Sequence, residues 1–177
     1  MGKILLISGS PRKGNTDFIL SKIYENISRD KELIFLRDKE IKHCLGCLSC
    51  HNKPNCVIND DMKEILDKIL NAEIIIISTP NYFDNIPGIL KDFVDRTHPF
   101  YKTKLLENKK LIFIMVGGGE IENSQKCLDC VMKGFVKYHK LNLVSSYCFK
   151  ALNQTDLKEN PETILRINKI IEKINSL

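Results

Sequence analysis

Along this chain, short unbroken apolar runs alternate with longer stretches in which apolar residues return every three or four positions. Ile4, Leu5, Leu6 and Ile7 form the first run. Four consecutive apolar residues without a polar partner face suit a strand covered on both sides, as in a parallel sheet. Polarity returns from Ser8 to Thr16, and Ile19, Leu20, Ile23 and Ile27 then keep helical spacing, which predicts a helix over about 16–28. Lys31 to Leu36, carrying Leu33, Ile34, Phe35 and Leu36, gives a second strand. Asp61 and Glu64 predict a capping pair for a helix whose inner face carries Met62, Ile65, Leu66, Ile69 and Leu70. Ile74 to Ile77 is a third strand, and Pro87 opens a helix bearing Ile89, Leu90, Phe93 and Val94. The segment 99–108 reads as a surface connection. Leu111 to Val116 is a fourth strand, followed by a helix over about 123–139, a strand near 141–149, and a last helix begun by Asn160 and Pro161 with Ile164, Ile167, Ile171 and Ile174 on one side.

Five strands alternating with five helices predict an α/β fold, a doubly wound five-stranded parallel sheet of order 2-1-3-4-5 with right-handed crossovers and helices on both faces. In such a sheet ligands bind outside the carboxyl ends of the strands, where the strand order reverses. The segments 8–16, 80–87 and 117–119 then meet at one edge. The first of them, SGSPRKGNT, leads into a helix N-terminus, whose free N–H groups and partial positive charge suit a phosphate. Arg12 adds a guanidinium, and Ser10, Asn15 and Thr16 add side-chain donors. An ordinary turn would use the same residue types. Neither the Walker loop nor the dinucleotide fingerprint is present, since no G-K-[ST] follows Gly14 and Gly9 and Gly14 are wrongly spaced. Pro80, Asn81, Tyr82, Phe83 and Asn85 bring two aromatics and two amides, and Gly117, Gly118 and Gly119 bring bare backbone, a combination suited to a flat heteroaromatic ring with a phosphate tail. FMN fits best.

The 177 residues, 43% hydrophobic and 28% charged, are most simply one domain over 1–177 with a real core. A formal charge of +5 comes from dispersed lysines, which argues against nucleic acid, and no apolar run approaches a membrane span. With no apolar leader after Met1, a cytoplasmic location is expected. The polar interval at about 38–60 departs from the alternation and is too long for a routine connection. It holds Cys44, Cys47, Cys50 and Cys56, four of seven cysteines, spaced C-x2-C-x2-C-x5-C. Three thiols at two-residue gaps are like the run used for bacterial iron–sulfur clusters, although the fourth ligand there is placed differently. Zinc sites more often use pairs separated by a long gap, and four thiols that bind nothing remain an alternative. His43 and His51 flank the loop. Cys127 and Cys130, sharing a helix face, and Cys148 are expected as small core thiols, and Asp95 with Arg96 as a surface or interface ion pair.

Ser8 to Thr16, Ser78 to Arg96 (STPNYFDNIPGILKDFVDR) and Val116 to Gly119 together resemble the NADPH-dependent FMN reductase family of flavodoxin-like proteins. The resemblance implies that Ser10, Arg12, Asn15 and Thr16 hold the FMN phosphate. It further implies that Pro80, Asn81, Tyr82, Phe83 and Asn85 lie along the isoalloxazine, and that the three glycines meet its pyrimidine edge. The cysteine loop resembles the compact motif of the iron–sulfur flavoproteins within that family, which implies a [4Fe-4S] cluster on the four cysteines. The activity implied by this resemblance is that of an oxidoreductase passing electrons between NAD(P)H or a ferredoxin-like carrier, the cluster and FMN. A small-molecule acceptor and a homodimer or homotetramer are implied as well. Because flavin carries the hard chemistry, no catalytic side chain is expected. The rivals are an NAD(P)H-dependent FMN or quinone reductase without a cluster, a non-enzymatic flavodoxin-like carrier, and, least supported, a zinc-knuckle nucleic-acid module.

Overall fold

A computed structural model describes residues 2–51, 53, 55–158 and 160–177, so the cysteine-rich interval is described apart from positions 52 and 54, and the expectation drawn from Met1 lies outside the described residues. The strands are β1 (Lys3–Ser8), β2 (Lys31–Phe35), β3 (Ala72–Pro80), β4 (Lys110–Gly117) and β5 (Asn142–Lys150), and they form one parallel sheet of order β2-β1-β3-β4-β5. The expected topology is therefore found.

Side-chain alternation explains why the first run has no polar position. Ile4 and Leu6 project to one face with Ile74, Ile76, Ile112 and Ile114, and are covered by α1 (Asn15–Asn26) and α6 (Pro161–Asn175). Leu5 and Ile7 project to the other with Ile75, Ile77, Phe113 and Met115. That face is covered by α2 (Met62–Asn71), α3 (Gly88–Arg96), α4 (Ile121–Val131) and α5 (Lys133–His139). Each buried isoleucine or leucine adds about 1.5–3 kcal/mol over leaving it in water, so both faces of the sheet hold it in place.

Four local expectations are corrected. The predicted helix over 123–139 is two helices, α4 and α5, separated at Met132, whose N–H reaches both the Leu128 and the Cys130 carbonyl. The segment 99–108 is more than a surface connection, since Phe100 and Leu106 are buried in the core. The Asp61 side chain does not cap α2. Asp60 Oδ1 instead accepts the Met62 N–H at 3.1 Å, while Asp61 Oδ2 accepts the Glu40 N–H at 2.8 Å. Finally, Asp95 and Arg96 are not partners of each other: Asp95 accepts from Lys91 on the surface, and Arg96 turns inward to Asp60. Two successive residues on a helix point about 100° apart, so one of them faced the interior. Among the described residues no helix is long and apolar enough to cross a membrane.

Candidate functional site

Beyond the carboxyl edge of the sheet, four segments are stitched together by backbone bonds that continue the strand ladders. The Gly9 N–H donates to Ser78 O at 2.8 Å, the Asn81 N–H to Val116 O at 2.8 Å and the Ala151 N–H to Gly117 O at 2.9 Å. The result is a cleft of about 210 Å³ at the switch between β1 and β3. Its walls include Ser10, Arg12, Asn15, Thr16, Pro80, Asn81, Tyr82, Gly117 and Gly118 from the expected set. Phe83, Asn85 and Gly119 fall outside its wall.

The phosphate end is set by α1. Among the described residues no side chain caps this helix, whose N-cap is Gly14, so its first N–H groups face the cleft without a protein acceptor from the cap. Asp17 in the first turn would oppose an anion there, but Ser8 Oγ donates to Asp17 Oδ1 at 2.7 Å and the Arg37 guanidinium pairs with Asp17 Oδ2 at 2.7 Å. Both side chains are largely shielded from water, so the pair neutralises Asp17 and leaves the partial charge of the helix end in place. Ser10 Oγ donates to the Arg12 carbonyl at 2.6 Å, which fixes the turn, and Arg12 itself is exposed. Gly9 is required by close approach, because a Cβ there would stand 2.9 Å from Leu90 Cβ on α3.

Opposite lies a two-residue hairpin. Tyr82 N–H and Asn85 O, and Asn85 N–H and Tyr82 O, exchange bonds at 2.9 and 3.1 Å, with Phe83 and Asp84 left-handed at φ of 52° and 53°. Neither is a glycine, and a bulky residue in this region is held there at a cost. Phe83 is fully exposed at the tip. Asn81 Nδ2 donates weakly to Asp84 Oδ1 at 3.3 Å and Ser124 Oγ at 3.4 Å, and Asn81 Oδ1 is buried without a partner among the described residues. Gly117 accommodates this amide: a Cβ there would meet Ser124 Oγ at 2.9 Å and Asn81 Cβ at 3.0 Å. At Gly117 and Gly118 the space saved is thus taken by neighbouring side chains.

The wall formed by Ala151, Leu152, Asn153 and Gln154, after β5, was not anticipated from sequence. Asp156 Oδ2 accepts from the Leu152 and Asn153 N–H groups at 2.9 and 2.8 Å, and Asn15 bridges to this turn, donating to Asn153 O at 2.7 Å and accepting from the Leu157 N–H at 3.2 Å. Asn15 therefore spends its amide on the scaffold, leaving its backbone for a ligand. The available signal was topological: β5 lies beside β4, so its following loop must reach the same edge.

The cysteine loop also leaves the carboxyl edge, after β2. Gly46 and Leu48 are left-handed, at φ of 63° and 57°, and a single helical turn at Ser49–His51 folds the loop back. Cys44, Cys47, Cys50 and Cys56 line one cavity of about 50 Å³ together with Arg96 and His98. Cys44 and Cys47 are exposed, and Cys50 and Cys56 half-buried. The Ser49 hydroxyl and N–H lower the pKa of Cys47, whereas burial and the neighbouring sulfurs raise that of Cys50. Among the described residues no three His, Cys, Asp or Glu side chains converge within reach of one metal ion. A cubane takes one thiolate per iron and does not require that convergence. His43, though exposed, bonds Asp92 at 2.7 Å, which raises its pKa. Cys127 and Cys148 are buried as expected, and Cys130 is exposed instead.

The family model for NADPH-dependent FMN reductase matches residues 2–155. The chain belongs to the NADPH-dependent FMN reductase family. Iron–sulfur flavoproteins are among its relatives: one from Archaeoglobus fulgidus is 32% identical over 164 residues, covering 91% of this chain and 76% of its own. Another from Methanocaldococcus jannaschii is 39% identical over 111 residues, covering 60% of this chain and 58% of its own. An NAD(P)H:quinone oxidoreductase from Methanothermobacter marburgensis superposes with a TM-score of 0.77 at 13% identity, over 98% of this chain and 96% of that one. A flavone reductase superposes at 0.74 with 21% identity over 98% of this chain, which spans 62% of its length. These two structures establish the flavodoxin-like fold. Family membership makes the protein an FMN-dependent oxidoreductase. The uncapped helix end, the neutralised Asp17 and the unpartnered Asn81 Oδ1 fit FMN, with its phosphate tail and polar ring edge.

Proposed function

We infer that this protein is an electron-transfer flavoprotein whose cleft at the carboxyl edge takes FMN and whose four-cysteine loop takes a [4Fe-4S] cluster. The observation that carries the reading is the convergence of the β1, β3, β4 and β5 loops on one cleft at the uncapped start of α1. FMN, when bound, supplies both one- and two-electron redox chemistry. The N–H groups of Asn15 and Thr16, with Arg12 and Ser10, hold the phosphate. Pro80, Asn81 and Tyr82 line the ring, with Phe83 and Asn85 shaping the hairpin that carries Tyr82, and the Gly117 and Gly118 backbone meets the polar edge beside Asn81. Cys44, Cys47, Cys50 and Cys56, which line one cavity, supply the thiolates. NAD(P)H or a ferredoxin-like carrier is the electron source.

The test is an anaerobic visible spectrum with iron and acid-labile sulfide analysis of protein loaded with FMN. Cys47→Ser is expected to lose the iron and keep the flavin; unchanged iron in that variant refutes the ligand assignment, and failure to bind FMN at micromolar concentration refutes the cleft. A second reading, an NAD(P)H-dependent FMN or quinone reductase without a cluster, is favoured by the exposure of Cys44 and Cys47. Flavin-loaded wild-type protein lacking sulfide would select it. Absence of flavin bleaching by NADPH would favour a carrier of the flavodoxin type.

A further inference from the structure

Between the cysteine loop and α3 lies a polar joint that the flavin cleft does not use. The Arg96 side chain is 1% exposed and that of Asp60 fully buried. Arg96 Nη1 donates to Asp60 Oδ2 at 2.6 Å and to the Lys42 carbonyl at 2.7 Å, and Nη2 donates to Asp60 Oδ1 at 2.9 Å. Asp60 Oδ2 also accepts the Lys42 N–H at 2.9 Å, and Asp61 N–H donates to Glu40 O at 3.1 Å. The two ends of the loop, 40–42 and 60–61, are thereby fastened to each other and to α3. A fork of this planarity meets a carboxylate with two parallel bonds, which a lysine cannot reproduce.

The same joint reaches the sulfurs. Arg96 lines the same cavity as Cys56, and Arg96 Nε is buried there without a partner among the described residues. Two residues on, His98 Nδ1 stands 3.3 Å from Cys50 Sγ. The His98 ring is stacked on His51 at 4.9 Å and 17° and lies 5.1 Å from Tyr101, so two neighbouring rings constrain its orientation.

Resting on the reading of the four thiols as cluster ligands, we propose that Arg96 and His98 are positioning residues of the cysteine loop, Arg96 by holding the loop closed over Cys56 and His98 by donating Nδ1–H to the Cys50 sulfur. Both place positive or N–H character beside thiolate, which draws the reduction potential of a metal–thiolate centre upward. The half-buried sulfurs, Cys50 and Cys56, are the two that this joint covers.

The Arg96 role is read in metal-free protein by alkylation with iodoacetamide, monitored thiol by thiol by mass spectrometry. Arg96→Lys keeps the charge and loses the fork; Cys50 and Cys56 are expected to label several-fold faster than in wild type, with Cys44 and Cys47 unchanged. Wild-type rates at Cys50 and Cys56 overturn the clasp. Should Arg96→Lys lose its far-UV dichroism, Asp60→Asn opens the same joint with the arginine intact and is read identically. The His98 role is read in anaerobically reconstituted protein with FMN bound. His98→Phe keeps the stacking and removes the donor, so the cluster midpoint should fall while the flavin midpoint stays; an unmoved cluster midpoint overturns the donor role. Wild-type protein that takes up no iron and sulfide defeats the cluster reading and with it the role of His98, while the alkylation result still decides that of Arg96.

Discussion

His139 gives the most quantitative expectation. Its ring is buried at the end of α5, with Nε2 2.9 Å from Thr97 Oγ1, Phe135 edge-on at 5.1 Å, and Nδ1 without a partner among the described residues. Thr97 Oγ1 already donates to Val94 O, so Nε2 is the donor in the bond to Thr97. Burial pushes its pKa down from 6.5 to about 4. In the unfolded chain the ring takes a proton below about 6.5, so the unfolded state binds more protons between these values and stability falls as pH drops through that window. The full effect is about 3 kcal/mol, of which about 2 kcal/mol is lost between pH 7 and pH 5. For a chain of this length that lowers Tm by roughly 4–8 °C. Urea unfolding of the wild type and His139→Phe at the two pH values isolates the contribution, because exposed groups such as His43, whose raised pKa acts in the opposite direction, are common to both proteins. Equal losses in wild type and variant would refute the burial argument.

Arg96→Met strands the Asp60 carboxylate in a site where burial pushes its pKa up and the Arg96, Lys42 and Met62 donors hold it below the usual range. Thermal melting should show a loss of about 3–5 kcal/mol, whereas Lys91→Ala, which breaks the exposed pair with Asp95 one residue away, should cost under about 0.5 kcal/mol. Gly9→Ala drives a methyl against Leu90 Cβ at 2.9 Å, which α3 must yield to; about 1–3 kcal/mol of stability is expected by urea titration, and an unchanged midpoint would show that the helix shifts freely. Asn15→Ala unfastens the turn after β5 and should weaken FMN binding, measured by flavin fluorescence, together with about 1–3 kcal/mol of stability from the unpaired Asn153 and Leu157 groups. Unaltered affinity would separate that turn from the cleft.

The sequence alone determined the framework. Runs such as Ile4–Ile7 and Ile74–Ile77 have no polar member because alternate residues are buried on opposite faces, and that pattern is visible without coordinates. Topology then placed the loops after β1, β3 and β4 together, since parallel strands send all their carboxyl ends to one edge. Which side chains turn into the cleft was decided only in three dimensions. Phe83 was expected beside the ring but is carried outward by two successive left-handed residues, a backbone choice that aromatic and acidic residues do not advertise. Leu152 to Gln154 joined the wall because β5 pairs with β4, a contact between segments more than thirty residues apart. Arg96 looked like half of a surface pair because sequence shows neighbours along the chain. Its true partner, Asp60, is 36 residues away, and only packing of α3 against the cysteine loop removes both charges from water and makes them indispensable to each other.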